Sequence, residues 1–301
     1  THVRQNRPDT AIIMVTGMAD TSLANTALAM GAYGYIIKPF DSQEMLIGVM
    51  NALRRRVLEV ENRNHRERLE EMVRHRTTEL WEAISSLEQA GKELRSSQEE
   101  TIHRLSIAAE LRDRETAGHI ERMSRYCHLL ARSVGEDAEH SERIRLASKM
   151  HDVGKIGIPD SILLKPGKFT HEERNVMQRH AEIGYEILQD SDSELLRIAA
   201  VIALTHHERV DGKGYPKALT HEEIPLEGRI AAVADVFDAL TSERPYKKAF
   251  PLGQAVEIMS EERSKHFDPE LLDVFLNSME AIVEVMHQHP IAPRALASSS
   301  A

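Results

Sequence analysis

The spacing of apolar positions changes character along this chain. In the first fifty residues they fall in short runs, Ala11-Ile12-Ile13-Met14-Val15 and Tyr33 to Ile37. Between them lies a stretch of small residues through Ala24, Ala27, Leu28 and Met30, closed by Gly31. Short apolar runs bounded by turn residues suit buried strands of a parallel sheet, and the intervening stretch suits a helix. Asp41, three residues before Glu44, has the spacing of a helix cap. Residues 1–52 therefore predict strand, helix, strand, helix.

From about 53 to 105 the pattern turns charged and proline-free. Val73, Thr77, Leu80, Ile84, Leu87, Gly91, Leu94, Gln98, Thr101 and Leu105 recur in alternating steps of four and three. That is a heptad seam, and it predicts a long helix pairing in parallel with a second copy. Met50, Leu53, Val57 and Val60 form an earlier seam in another frame, so the register slips between the two.

After about 106 the pattern becomes that of a compact helical domain ending near 290. Helices are expected over 107–134, 141–151, 171–189, 193–207, 229–240, 253–262 and 269–287. Thr170 with Glu173 makes a capping box for the third of these. The tail 291–301 is small and polar and is expected to be disordered. The fold class is mostly α, behind a partial α/β fragment.

Composition narrows the setting. Aromatic residues make up only 4 %, which favours helices over a β sandwich. A single cysteine, Cys127, excludes an intrachain disulfide and suits a reducing compartment. No apolar run approaches the length of a spanning helix and no signal peptide opens the sequence, so a cytoplasmic protein without membrane partners is expected. Most of the net charge of -10 falls after residue 111, which argues against nucleic acid as a partner.

The chemistry concentrates around Lys149-Met150-His151-Asp152-Val153-Gly154-Lys155. A histidine beside an aspartate offers a neutral nitrogen and a carboxylate whose two oxygens can bridge two cations. His119, His180, the doublet His206-His207 and Asp235 lie in the same region. Glu115 stands four residues before His119, on the same side of a helix. Nitrogen with carboxylate oxygen suits borderline first-row metals better than magnesium.

These motifs, in this order, resemble the HD-GYP domain, a branch of the HD metal-dependent phosphohydrolases. The resemblance rests on His151-Asp152-Val153-Gly154-Lys155, His206-His207-Glu208 and Gly212-Lys213-Gly214-Tyr215-Pro216, and it runs from about Ser106 to about Pro290. It implies an all-helical HD-type domain that hydrolyses cyclic di-GMP to pGpG and on to GMP. It implies two or three divalent transition-metal ions, iron or manganese foremost. Their ligands would be Glu115, His119, His151, Asp152, His180, His206, His207 and Asp235, with Asp152 as the bridge. His206 and His207, about 100° apart around a helix, could reach different ions of the cluster. Lys155 would contact the phosphate and join His151 and Asp152 in catalysis. Gly214, Tyr215 and Pro216 would line the substrate site, with Arg244 and Lys247 reaching guanine or phosphate. Asp238, three residues after Asp235, would support a ligand from behind.

The first 52 residues resemble the second half of a response-regulator receiver domain. Thr16, Tyr35 and Lys38-Pro39 match that family's switch threonine, switch aromatic and phosphate-contacting lysine. The phosphoacceptor half is not in this sequence, and a fragment of a longer regulator is expected. The resemblance implies a cognate histidine kinase for the full-length protein, a homodimer through the linker helices (53–105), and a diguanylate cyclase or other signalling proteins as further partners. Two other functions remain open: hydrolysis of another cyclic dinucleotide such as cyclic GMP-AMP, and a catalytically silent receptor for cyclic dinucleotides or partner proteins.

Overall fold

The structure is a computed structural model that describes residues 2–17, 21–110, 112, 117–243 and 248–290. The chain divides into two units, Thr1–Lys92 and Glu93–Ala301, and the division falls inside one helix.

In the first unit, α1 (His2–Asn6) precedes β1 (Ile13–Thr16), α2 (Thr21–Ala29), β2 (Gly34–Ile37) and the start of α3 (Ser42–Glu110). The strands pair in parallel, Ile13 opposite Gly34 and Thr16 opposite Ile37. Just past β2, the Lys38 backbone N–H donates to the Thr16 carbonyl at 2.7 Å, so the two residues meet at the carboxyl ends of the strands. Asp41 caps α3 by accepting from the N–H groups of Gln43 and Glu44 at 2.7 and 2.8 Å. The first turns of α3 bury Ala52, and Arg56 and Arg63 both pair with Asp9.

Helix α3 runs 69 residues without a break, longer than the expected linker and through the expected domain boundary. Its seam is open to solvent in this chain: Leu80 is 63 % exposed, Ile84 45 % and Leu87 73 %. Pairs such as Arg66–Glu70 and Arg104–Glu100 decorate the helix, each worth about 0.3–0.5 kcal/mol, too little to explain a helix of this length alone.

The second unit continues with α4 (Ala117–Ser133), α5 (Ala138–Ser148), a 3₁₀ turn (Val153–Gly157), α6 (Asp160–Leu163), α7 (His171–Gln178), α8 (His180–Leu188) and α9 (Glu194–Thr205). A short 3₁₀ turn (His221–Glu223) precedes α10 (Leu226–Thr241), α11 (Leu252–Glu261), α12 (Pro269–Asn277) and α13 (Met279–Gln288). One core joins them: Met123, Tyr126 and Leu130 of α4, Ile144 of α5, Ile202 of α9, Phe237 of α10 and Phe275 of α12 are all buried. Tyr126, Phe237 and Phe275 meet edge to face, with centroids 5.1–6.3 Å apart.

Two expected helices are each broken in two. The first splits at Arg179, which ends α7 and precedes α8, and His180 thereby becomes the first residue of a new helix. The second splits at Ser278, whose hydroxyl bonds back to the Val274 carbonyl at 2.9 Å. The capping box is present as read: Thr170 accepts from the Glu173 N–H and Glu173 from the Thr170 N–H. The tail 291–301 lies outside the described residues.

Candidate metal centre

Four helices and one turn deliver the cluster. His119 sits in the first turn of α4, and His151 and Asp152 in the turn after α5. His180 opens α8, His206 and His207 follow the end of α9, and Asp235 lies midway along α10. Gly154 lets the turn after Asp152 press onto α8. A Cβ there would overlap the carbonyl oxygen of His180 and the backbone nitrogen of Gly184. The glycine of the His-Asp motif thus holds two ligand-bearing segments together.

Asp152 faces two ways. Its Oδ2 lies 3.1 Å from His151 Nε2, and its Oδ1 lies 3.2 Å from His180 Nε2 and 3.8 Å from His206 Nε2. Two groups of ligand atoms flank it, each within 4.8 Å: Asp152, His180, His206 and His207 on one side, Glu110, His119 and His151 on the other. Asp235 joins the second side, its Oδ1 3.7 Å from His119 Nε2. His206 and His207 fall in the same group of ligand atoms. His206 caps α9 in helical conformation, its N–H still bonded to the Ile202 carbonyl at 3.0 Å, and the two rings stand 3.9 Å apart.

The imidazoles are oriented from behind. His151 Nδ1 faces the Ser148 carbonyl at 3.0 Å, His180 Nδ1 that of Met177 at 2.8 Å, and His206 Nδ1 those of Ile202 and Ala203 at 3.0 and 3.1 Å. Those carbonyls can only accept, so Nδ1 carries a proton in each ring, and Nε2 faces inward, where it offers a lone pair whenever the ring is neutral. The Nε2 atoms of all three rings are buried and have no hydrogen-bond partner. Several buried, inward-facing acceptors around one carboxylate fit divalent cations and would be costly without them.

His119 is held differently. Asp238 Oδ2 lies 2.8 Å from its Nδ1, and Arg122 forks onto Asp238 at 2.7 and 2.9 Å. Burial pushes the Asp238 carboxyl up, but His119 and Arg122 outweigh it and hold it at about 2. The carboxylate therefore stays charged behind the ring.

The field within the cluster is steep. Burial pushes His151 down, yet the carboxylates of Asp152 and Asp235 bring it up to about 9. His206, equally buried and facing the charge of His151, is pushed down to about 3. Asp152 is held well below the usual carboxylate range: burial raises it, and the charges of Lys155 and His151 overcome that. Lys155 is buried, its Nζ 2.7 Å from Asp152 Oδ2. A cation here competes with the proton on His151, so its binding releases protons.

The Gly-Tyr-Pro loop packs onto this group. Tyr215 lies 4.7 Å from the His207 ring, centroid to centroid, and its N–H donates to the His207 carbonyl at 3.2 Å. A Cβ on Gly214 would overlap the backbone of Glu208 and Arg209, so only glycine permits that approach. Pro216 follows Tyr215 through a cis peptide.

The cluster thus gathers His119, His151, Asp152, His180, His206, His207 and Asp235, with Lys155, Gly214, Tyr215 and Pro216 beside it. Glu115, Arg244 and Lys247 lie outside the described residues. Three residues were given no role of their own in the sequence reading. Glu110 and Arg112 lie at and just beyond the end of α3, where no local pattern links them to the His-Asp turn. Glu208 is buried and accepts the N–H groups of Lys217 and Leu219 at 2.7 and 3.0 Å. Its place directly after the His-His doublet was the available signal.

A helical scaffold carrying paired histidine–carboxylate groups around one aspartate defines a metal-dependent hydrolase. The chain belongs to the HD domain family, whose model matches residues 103–271, and its Gly214-Tyr215-Pro216 loop places it in the HD-GYP branch. It is 39 % identical over 284 residues to the cyclic di-GMP phosphodiesterase response regulator RpfG of Xanthomonas campestris pv. campestris, covering 94 % of this chain and 71 % of that protein. It is 36 % identical over 287 residues to a cyclic di-GMP phosphodiesterase of Thermotoga maritima, covering 94 % and 75 %. A 3'3'-cGAMP-specific phosphodiesterase 2 of Vibrio cholerae is 42 % identical over 198 residues, covering 66 % of this chain and 38 % of that protein. No helix among the described residues is long and apolar enough to cross a membrane.

Proposed function

We propose that this protein is a cyclic di-GMP phosphodiesterase that cuts its substrate to pGpG and then to GMP, as the output of a response regulator. The observation that carries this reading is Asp152, one oxygen toward the His151 side and the other toward His180 and His206. Divalent cations held there, iron or manganese by the mixed nitrogen and oxygen donors, would lower the pKa of a water and neutralise phosphate oxygens. His119, His151, Asp152, His180, His206, His207 and Asp235 would hold them, and Glu115 would contribute to a third-ion site that favours the second cut. Lys155, whose Nζ lies 2.7 Å from Asp152 Oδ2, would contact the phosphate. Tyr215 and the Gly214–Pro216 backbone shape the floor, and Arg244 and Lys247 grip the guanine or phosphate.

The protein acts as a cytoplasmic homodimer joined along α3, with residues 1–52 serving as part of a receiver for a histidine kinase. The resemblance to a 3'3'-cGAMP-specific enzyme supports one rival substrate, because the Gly-Tyr-Pro loop does not by itself choose the base. The test is anaerobic purification and metal analysis, then product identification from cyclic di-GMP, cyclic GMP-AMP and pGpG. Cyclic di-GMP turnover that disappears in a folded Asp152→Ala protein is expected. Undiminished turnover by that variant overturns the assignment, and turnover of cyclic GMP-AMP alone replaces the substrate.

A further inference from the structure

The last residue of α3 reaches the centre. Glu110 is buried, and one of its carboxylate oxygens lies within 4.8 Å of ligand atoms on both His119 and His151. Over most of its length α3 faces solvent, whereas its final residue is buried beside the histidines. Arg112 supplies an independent anchor. Its guanidinium donates to the carbonyls of Lys155, Ile156 and Ile158, the last at 3.0 Å, and to Asp160 at 2.6 Å. Arg112 is thereby clasped to the turn that follows His151 and Asp152.

We propose that Glu110 is a metal ligand, completing the side of the centre built by His119 and His151; the proposal rests on the metal-centre reading above. Its chemistry makes the two sides unlike. The His180 side offers three imidazoles and one oxygen of Asp152. The His119 side offers two imidazoles with carboxylates from Glu110 and Asp235 and the other Asp152 oxygen. Oxygen-rich donors favour harder ions such as manganese, and imidazole-rich donors favour softer ones. Glu110 also ends the linker helix. A turn of α3 by one residue, about 100°, would carry its carboxylate away from the histidines, so the pose of the helix end sets how tightly this side binds.

The experiment compares wild type, Glu110→Gln and Glu115→Gln as full chains loaded with manganese under anaerobic conditions. Metal per chain is measured by mass spectrometry, and spin coupling between ions by electron paramagnetic resonance. For Glu110→Gln the expected result is a loss of about one cation per chain, with a coupled pair replaced by an isolated-ion signal. The metal-free forms of wild type and Glu110→Gln should melt alike, while the loaded forms differ. Full occupancy and unchanged coupling in Glu110→Gln overturn the proposal while leaving the metal centre standing. So does an equal loss of melting temperature with and without metal, which marks a structural carboxylate. A wild-type chain that binds no divalent cation overturns both readings. Loss of one ion in Glu115→Gln with none in Glu110→Gln transfers the role to Glu115.

Discussion

Asp238 stands 2.8 Å behind the Nδ1 of His119 and carries no inward-facing role of its own. It is buried, and Arg122 and Ser242 donate to its remaining lone pairs. The pair therefore fixes the ring and keeps its far nitrogen basic. Asp238→Asn keeps the shape but loses the charge, and it should weaken metal binding on the His119 side by about 10–100-fold. Chelator competition reads this directly. Arg122 is left facing a neutral amide, so the metal-free protein should also lose about 1–3 kcal/mol in denaturant melts. Unchanged chelator resistance would show that His119 holds no ion.

A second pair sets an acid limit on the fold itself. Asp268 caps α12 through the N–H groups of Glu270 and Leu271 and pairs with Arg229 of α10. Burial pushes this carboxyl up, but the cap and the Arg229 guanidinium outweigh it, and it lies below its ordinary 3.8. With the folded value below the unfolded one, the contribution is fully present above about pH 4. It is lost as pH falls through the lower folded value. Asp268→Asn should cost about 1–3 kcal/mol at neutral pH and flatten the acid limb of the melting curve. An acid limb as steep as wild type would place the titrating group elsewhere.

The linker carries the third prediction. Leu80, Leu87 and Leu94 lie seven apart and are all exposed on α3. An isolated helix with such a stripe gains by pairing it. Light scattering at tens of micromolar should give a dimer, and Leu80→Glu with Leu87→Glu should shift it toward monomer without loss of helicity on the HD side. A wild-type monomer at that concentration would rule out the seam.

What was legible in the sequence was local. Caps such as Asp41 and Thr170 sit within a turn of the groups they satisfy, and both appear where the spacing puts them. The helix breaks at Arg179 and Ser278 were not legible, because no glycine or proline marks them. At Arg179 the break orients His180 toward Asp152, which is a tertiary demand. Glu110 was hidden for the same reason: it is off the periodicity of His119 and far along the chain from His151. The end of α9 was legible too: the expected helix reached His207, and His206 caps it in helical conformation.

Glu208 carries the last prediction. It follows the doublet, is buried, and holds the N–H groups of Lys217 and Leu219, one with each oxygen. Those two donors directly follow Tyr215-Pro216 in the chain and help set where Tyr215 stands beside His207. Glu208→Gln turns one acceptor into a donor facing an N–H, which leaves a buried clash of like partners worth about 1–3 kcal/mol. The metal ligands are untouched, so metal per chain should stay at the wild-type value. The loop should loosen, raising KM several-fold while kcat falls less, the signature of lost substrate binding rather than lost chemistry. Glu208→Asp, which keeps two acceptors on a shorter arm, should recover part of the KM. A fall in kcat alone, at unchanged KM and full metal, would instead make Glu208 part of the chemistry.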